Sequence, residues 1–136
     1  MAPVELLKKV PLFEDLNQRE LETLGRSFKE RKYNAGDTVT AEGTGGVGFF
    51  VIGDGEAAVT VGGDERTTLK PGDHFGEVAL IDEGARTATI TATTDMTCYG
   101  LTAWEFKPLV ESNGAIAWKL LQTLARRLRE SEQRDS

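Results

Sequence analysis

Glu77 and Arg86 stand nine residues apart, in Phe75-Gly76-Glu77-Val78-Ala79-Leu80-Ile81 and its continuation Arg86-Thr87-Ala88-Thr89. These residue types suit a small ligand with one hydroxylated sugar and one phosphate. Gly76 has no Cβ, so backbone there can approach a ligand closely. A helical turn over Glu77 to Ile81 would aim the free N–H groups at its start toward an anion. Arg86 adds a two-pronged, charge-assisted contact to a phosphate. Glu77 would repel a phosphate, so its role is to accept a hydrogen bond from a sugar hydroxyl, as an acidic side chain does on the ribose of dinucleotides. Thr87 offers one more hydroxyl beside the arginine. The alternative is that Glu77 and Arg86 pair with each other and serve only the fold.

The elements that must hold this segment read as short strands broken by glycine. Pro71-Gly72-Asp73 is a turn signal just ahead of it. Expected strands cover residues 28–33, 38–41, 48–53, 57–61, 66–69, 87–93 and 97–101. Between them lie Asn34-Ala35-Gly36-Asp37, Gly43-Thr44-Gly45-Gly46, Gly53-Asp54-Gly55 and Gly62-Gly63-Asp64, which suit tight turns with positive φ. Regular short strands of this kind indicate a sandwich or jelly-roll barrel. Over Thr87 to Thr93, Ala88, Ile90 and Ala92 face one way and the threonines the other. The small inward residues leave room inside the roll.

Helices are expected at both ends, so the fold class is mainly β with flanking helices. Asn17 and Glu20 form a capping pair, with Leu16 and Leu21 as its hydrophobic staple. Leu21, Leu24 and Phe28 continue one apolar face, and Val10-Pro11-Leu12-Phe13 forms an apolar elbow before it. Residues 103–111 read as a short helix, Asn113-Gly114 as a break, and residues 115–132 as a longer helix. Its stripe is Ile116, Leu120, Leu124 and Leu128, which packs on the roll or on a second copy.

Composition narrows the chemistry. A length of 136 residues fits one domain. The net charge of −6 argues against general nucleic-acid binding, and it requires that an anionic ligand be held by local groups. The only histidine, His74, excludes a His-rich metal site, and it reads as a surface or hydrogen-bonded residue. The single Cys98 sits in an apolar strand pattern and reads as a buried, inert thiol. No internal disulfide can form, which fits a reducing, cytoplasmic setting. No nucleophile–base set can be assembled, so no enzymatic activity is expected. No apolar run reaches the length of a membrane span, and residues 1–10 lack the apolar core of a signal peptide.

The Phe75-to-Ala88 stretch closely resembles the phosphate-binding cassette of cyclic nucleotide-binding domains, whose pattern runs F-G-E-x-A-L, a short loop, then R-[ST]-A. The resemblance extends over nearly the whole chain, which it divides into N-terminal helices (1–28), an eight-stranded β-roll (29–101, cassette 75–88) and C-terminal helices (103–132). It implies that Glu77 holds the ribose 2′-hydroxyl, Arg86 the cyclic phosphate, and the amides of Gly76 and Ala79 surround it. The implied ligand-binding set is Gly76, Glu77, Val78, Ala79, Arg86 and Thr87. Val59, Val61, Leu69 and Val78 would floor the base. The C-terminal helix would close as a lid, with Leu121, Leu124, Ala125 and Leu128 as apolar cover and Arg126 or Arg127 stacking on the base. Thr87 accompanies both cyclic AMP and cyclic GMP, with cyclic AMP favoured and no other cofactor implied. The output would be an effector protein in trans, since no helix-turn-helix for reading DNA is expected beyond Ser136. The chain would be a monomer or a weak homodimer through its C-terminal helix. A protein-interaction module of the same fold, without nucleotide, is the alternative.

Overall fold

The run Phe49-Phe50-Val51-Ile52 is apolar at every position, which suits a strand covered on both faces. The computed structural model describes residues 2–40, 48–76 and 88–135. In chain order come α1 (Val4–Leu7), a 3-10 turn at Pro11–Phe13, α2 (Gln18–Gly25), β1 (Lys29–Tyr33), β2 (Thr38–Thr40), β3 (Phe49–Asp54), β4 (Ala57–Val61), β5 (Asp64–Leu69), β6 (His74–Phe75), β7 (Thr89–Ala92), β8 (Met96–Leu101), α3 (Ala103–Ser112) and α4 (Gly114–Asp135).

The strands form two antiparallel four-stranded sheets, β1-β8-β3-β6 and β2-β7-β4-β5. The chain crosses from one sheet to the other at every step except the β4–β5 hairpin, which is the winding of a jelly roll. That hairpin turns at Gly62 and Gly63, with φ of +59° and +84°, and Val61 pairs with Asp64 across it. Two successive positive φ values match the right-handed twist of the flanking strands, and glycine adopts them without strain.

Successive residues of β3 are buried on alternate faces, as its sequence requires. Phe50 and Ile52 pack into the roll with Ala57, Ile90, Ala92, Met96 and Cys98. Phe49 and Val51 point the other way, into a second core built with Leu101 of β8, Phe28 and, from the helical segments, Leu7, Phe13, Leu24, Phe106 and Ile116. The helices thus cover the outer face of one sheet. Ile90 and Ala92 are buried while Thr89 and Thr91 are only half-buried, the alternation expected of β7.

Both helical ends are capped as their sequences dictate. The Glu20 amide donates to Asn17 Oδ1 at 2.9 Å, and the Asn17 amide donates back to Glu20 Oε1 at 2.9 Å. Leu16 and Leu21 are buried around this cap. A second capping box, Thr102 with Glu105, starts α3.

Several details differ from the sequence expectation. A strand at β6 replaces the expected loop around His74. Its two residues are too few for a periodic signal, and their pairing with Phe50 and Val51 is long-range. β3 runs on through Asp54, so the positive φ of its turn falls on Gly55, at +85°. Phe28 closes the helical segment, its amide donating to the Gly25 carbonyl, and the strand begins one residue later. Leu128 does not extend the packed stripe of α4. It is 61% exposed, and the buried face there is Ile116, Leu120 and Thr123. The glycine turn at 43–46 lies outside the described residues.

Candidate functional site

The approach to the cassette is bolted to the sheet. The Lys70 amide donates to Asp73 Oδ2 at 2.8 Å, and the Asp73 amide donates to the Lys70 carbonyl. Gly72 donates to the Ile52 carbonyl, and the Ile52 amide donates to the Asp73 carbonyl, so the Pro71-Gly72-Asp73 turn is tied to β3 from both sides. Lys9, just past α1, lies against Gly72, where a Cβ would sit 3.3 Å from its Nζ. β6 follows, and Phe75 stacks on Phe50 with centroids 5.1 Å apart and planes 21° from parallel.

Gly76 comes next, with φ +84°, in the left-handed region that side chains disfavour. Its glycine is therefore required by the backbone, whatever approaches it. Glu77, Val78, Ala79, Arg86 and Thr87 lie outside the described residues. The chain is described again at Ala88 and enters β7 in the other sheet, where Thr60 Oγ1 donates to the Thr89 carbonyl at 3.5 Å. The segment between Gly76 and Ala88 therefore connects the two sheets.

Of the expected base-floor residues, Val59 and Leu69 pack at the edge of the interior cluster with Tyr33, Val39 and Phe75. Val61 is half-buried beside the Gly62-Gly63 turn and does not join that cluster. The expected lid residues divide between two faces of α4. Leu124 packs against the helical core, while Leu121 and Leu128 are 57% and 61% exposed. Arg126 pairs here with two carboxylates, at 2.7 Å from Glu14 Oε1 and 2.9 Å from Asp15 Oδ2.

That last contact belongs to a clasp with no local signal in the sequence, because its partners lie about a hundred residues apart. The buried Thr123 hydroxyl donates to Asp15 Oδ2 at 2.7 Å, and Lys119 pairs with Glu20 at 2.6 Å. The Thr123 hydrogen bond, then Arg126, hold the Asp15 carboxyl below its usual range. Burial works against the Glu20 charge, but Lys119 and the Asn17 amide overcome it and lower its pKa as well. α4 is thereby fastened to the N-terminal helices.

His74 is half-buried. Its Nδ1 is buried with no hydrogen-bond partner among the described residues, and its ring tilts against Phe49 at 5.7 Å. Cys98 is fully buried, and burial pushes its thiol up to about 11. Among the described residues no cluster of His, Cys, Asp or Glu could hold a metal ion, and no helix is long and apolar enough to cross a membrane.

A family model for the cyclic nucleotide-binding domain matches residues 30–113, a span that includes Gly76 to Thr87. The chain is similar to the cAMP-dependent protein kinase regulatory subunit of Yarrowia lipolytica, 40% identical over 92 residues, 66% of this chain and 24% of the relative. It is 33% identical over 131 residues to the Cyclic AMP receptor protein of Thermus thermophilus, covering 93% of this chain and 61% of that one. It therefore spans between about a quarter and three fifths of these relatives' own lengths. The solved N-terminal domain of a transcriptional regulator from Streptomyces coelicolor superposes with a TM-score of 0.87 at 31% identity, covering 94% of this chain and 95% of that domain.

Proposed function

This chain belongs to the cyclic nucleotide-binding domain family, and from that premise we propose that it is a sensor module for cyclic AMP, with cyclic GMP as a second candidate ligand. The observation that carries the reading is the Gly76-Glu77…Arg86-Thr87 spacing inside the matched segment, entered through a glycine whose φ of +84° no other residue would adopt freely. Glu77 accepts from the ribose 2′-hydroxyl, the amides of Gly76 and Ala79 surround the phosphate, and Arg86 neutralises it. With a chain net charge of −6, these local groups alone must offset the repulsion of an anion. Cyclic AMP is favoured because the names of the two relatives described above refer to it.

Val59, Leu69 and Val78 take the base, with Val61 at the margin. α4 closes over it, using Leu121, Leu124, Ala125 and Leu128 with Arg126 or Arg127. Closure on Arg126 requires release of the Asp15 and Glu14 pair, so the clasp opposes the closed lid and ligand must favour closure by more than the clasp resists. The module is regulatory rather than enzymatic, works in the cytoplasm and passes its signal to an effector in trans. The chain is a monomer or a weak homodimer through α4.

Calorimetric titration with cyclic AMP and cyclic GMP tests this reading. Saturable heat is expected with cyclic AMP, and Arg86→Ala is expected to cost about 2–5 kcal/mol, a loss of roughly thirtyfold or more. Absence of heat with either nucleotide at millimolar concentration overturns it.

A further inference from the structure

A cavity of about 180 Å³ opens on the sheet that carries β1, β8 and β3, lined by Arg31, Tyr33, Val39, Phe50, Gly100 and Thr102 among others. None of these is among the residues named for the nucleotide site, and Tyr33, Val39 and Phe50 share the interior cluster with Val59 and Leu69. Arg31 and Tyr33 lie two apart on β1 and so share a face. Arg31 pairs in register with Cys98 on β8, and Gly100 pairs with both Lys29 and Phe50.

The floor exists because Gly100 has no side chain. A Cβ there would come within 2.8 Å of the Phe50 ring and 3.4 Å of Arg31 Nε. The Arg31 side chain and the Phe50 ring therefore both lie close to this one glycine. Phe50 is buried, so the floor is apolar. The charges around it are largely spoken for: Lys29 pairs with Glu105 at 3.3 Å, and Lys32 with Glu30 at 3.8 Å. The Thr102 hydroxyl is occupied by Glu105, to which it donates at 2.7 Å. Arg31 has no ion pair among the described residues. Tyr33 stays a neutral phenol because burial raises its pKa, so its hydroxyl can donate.

From this geometry we propose that the cavity is a second ligand site, taking a small aromatic carboxylate whose ring lies on Phe50 and whose acid group meets Arg31 and Tyr33. A fixed, planar cation suits a carboxylate in two-pronged contact. The volume lies below the roughly 300–1,000 Å³ of pockets that hold drug-sized ligands. It therefore fits a single ring and excludes a nucleotide.

Benzoate is the probe, titrated into the whole chain and followed by amide NMR, with benzamide as the uncharged analogue. Saturable shifts at Arg31, Tyr33, Phe50 and Gly100 are expected, with affinity in the millimolar range for so few heavy atoms. Arg31→Gln, an exposed position, is expected to weaken benzoate about tenfold or more, the usual loss for a hydrogen bond to a charged group. Benzamide should bind about as weakly to wild type as benzoate does to the variant. No saturable shift in the millimolar range overturns the site, and so does equal binding of benzoate and benzamide. Shifts centred on Gly76 to Ala88 and displaced by cyclic AMP also overturn it, because they place benzoate in the nucleotide site.

Discussion

At Gly76 the φ of +84° closes β6 and launches the segment that carries Glu77. An alanine there must hold a left-handed conformation at a cost of about 1–2 kcal/mol, or let the chain rotate and re-aim the next residue. Gly76→Ala is therefore expected to lower the thermal midpoint and to weaken cyclic AMP together, where Arg86→Ala weakens the ligand without a comparable loss of stability. Calorimetry and thermal melts on both variants separate these. Unchanged affinity in Gly76→Ala would mean that this backbone does not position the ligand. Cys98 behaves in the opposite way, as chemistry kept out of reach. With no exposed surface and a thiol pushed up to about 11, it holds little thiolate at pH 8. A disulfide reagent is expected to titrate it only in denaturant, and rapid reaction of the native chain would contradict the burial seen on β8.

Between elements, the decisive contact is the clasp that joins α4 to the N-terminal helices through Asp15, Thr123, Arg126, Glu20 and Lys119. Asp15 and Glu20 both have lowered folded pKa values, so the folded chain binds fewer protons than the unfolded one near those values. Their stabilisation is present above the unfolded pKa values of 3.8 and 4.5 and drains away as pH falls through the folded ones. The thermal midpoint should accordingly fall as pH drops from about 5 to 3, and Asp15→Asn should flatten part of that slope. Identical slopes in variant and wild type would remove Asp15 from the linkage. Thr123→Val should lower the midpoint even at pH 7, since it removes one of the two donors to Asp15 and sets a methyl against the carboxylate. None of this clasp was legible in the sequence, where Asp15 and Thr123 are joined by no period or motif. What was legible was local: the Asn17–Glu20 cap, the Gly62-Gly63 hairpin and the alternation of Ile90 and Ala92 all act within a few residues. β6 escaped because two residues show no period, and the cavity at Gly100 escaped because a missing side chain matters only beside Arg31 and Phe50. The cassette was the most legible part of the proposed site, because its glycine, carboxylate and arginine are set by close spacing along the chain.

For the whole molecule, the question is what the outer face of α4 meets. Its packed face runs through Ile116, Leu120 and Thr123, yet Trp118, Leu121 and Leu128 are 62%, 57% and 61% exposed. With exposed Ala125 between them, they follow one another at steps of three, four and three residues, the spacing of a heptad seam. Water-facing apolar residues in this register favour a matching helix, and a second copy of α4 supplies one. So short a seam falls well below the roughly 1,200–2,000 Å² of a standard interface, so the dimer is expected to be weak and concentration-dependent. Sedimentation over a wide concentration range should show it, and Leu121→Glu should leave a monomer with an unchanged thermal midpoint, since that position supports no core in the single chain. Leu121, Ala125 and Leu128 of this seam also belong to the apolar cover proposed for the lid, so ligand and association cannot be independent. Whatever factor cyclic AMP imposes on the dimer constant, dimerisation must impose on cyclic AMP affinity. A dimer constant that shifts at saturating cyclic AMP is the expected result. A constant that stays fixed, alongside measurable binding, would detach this seam from the lid and leave Leu124 and the two arginines as the part of α4 that senses the ligand.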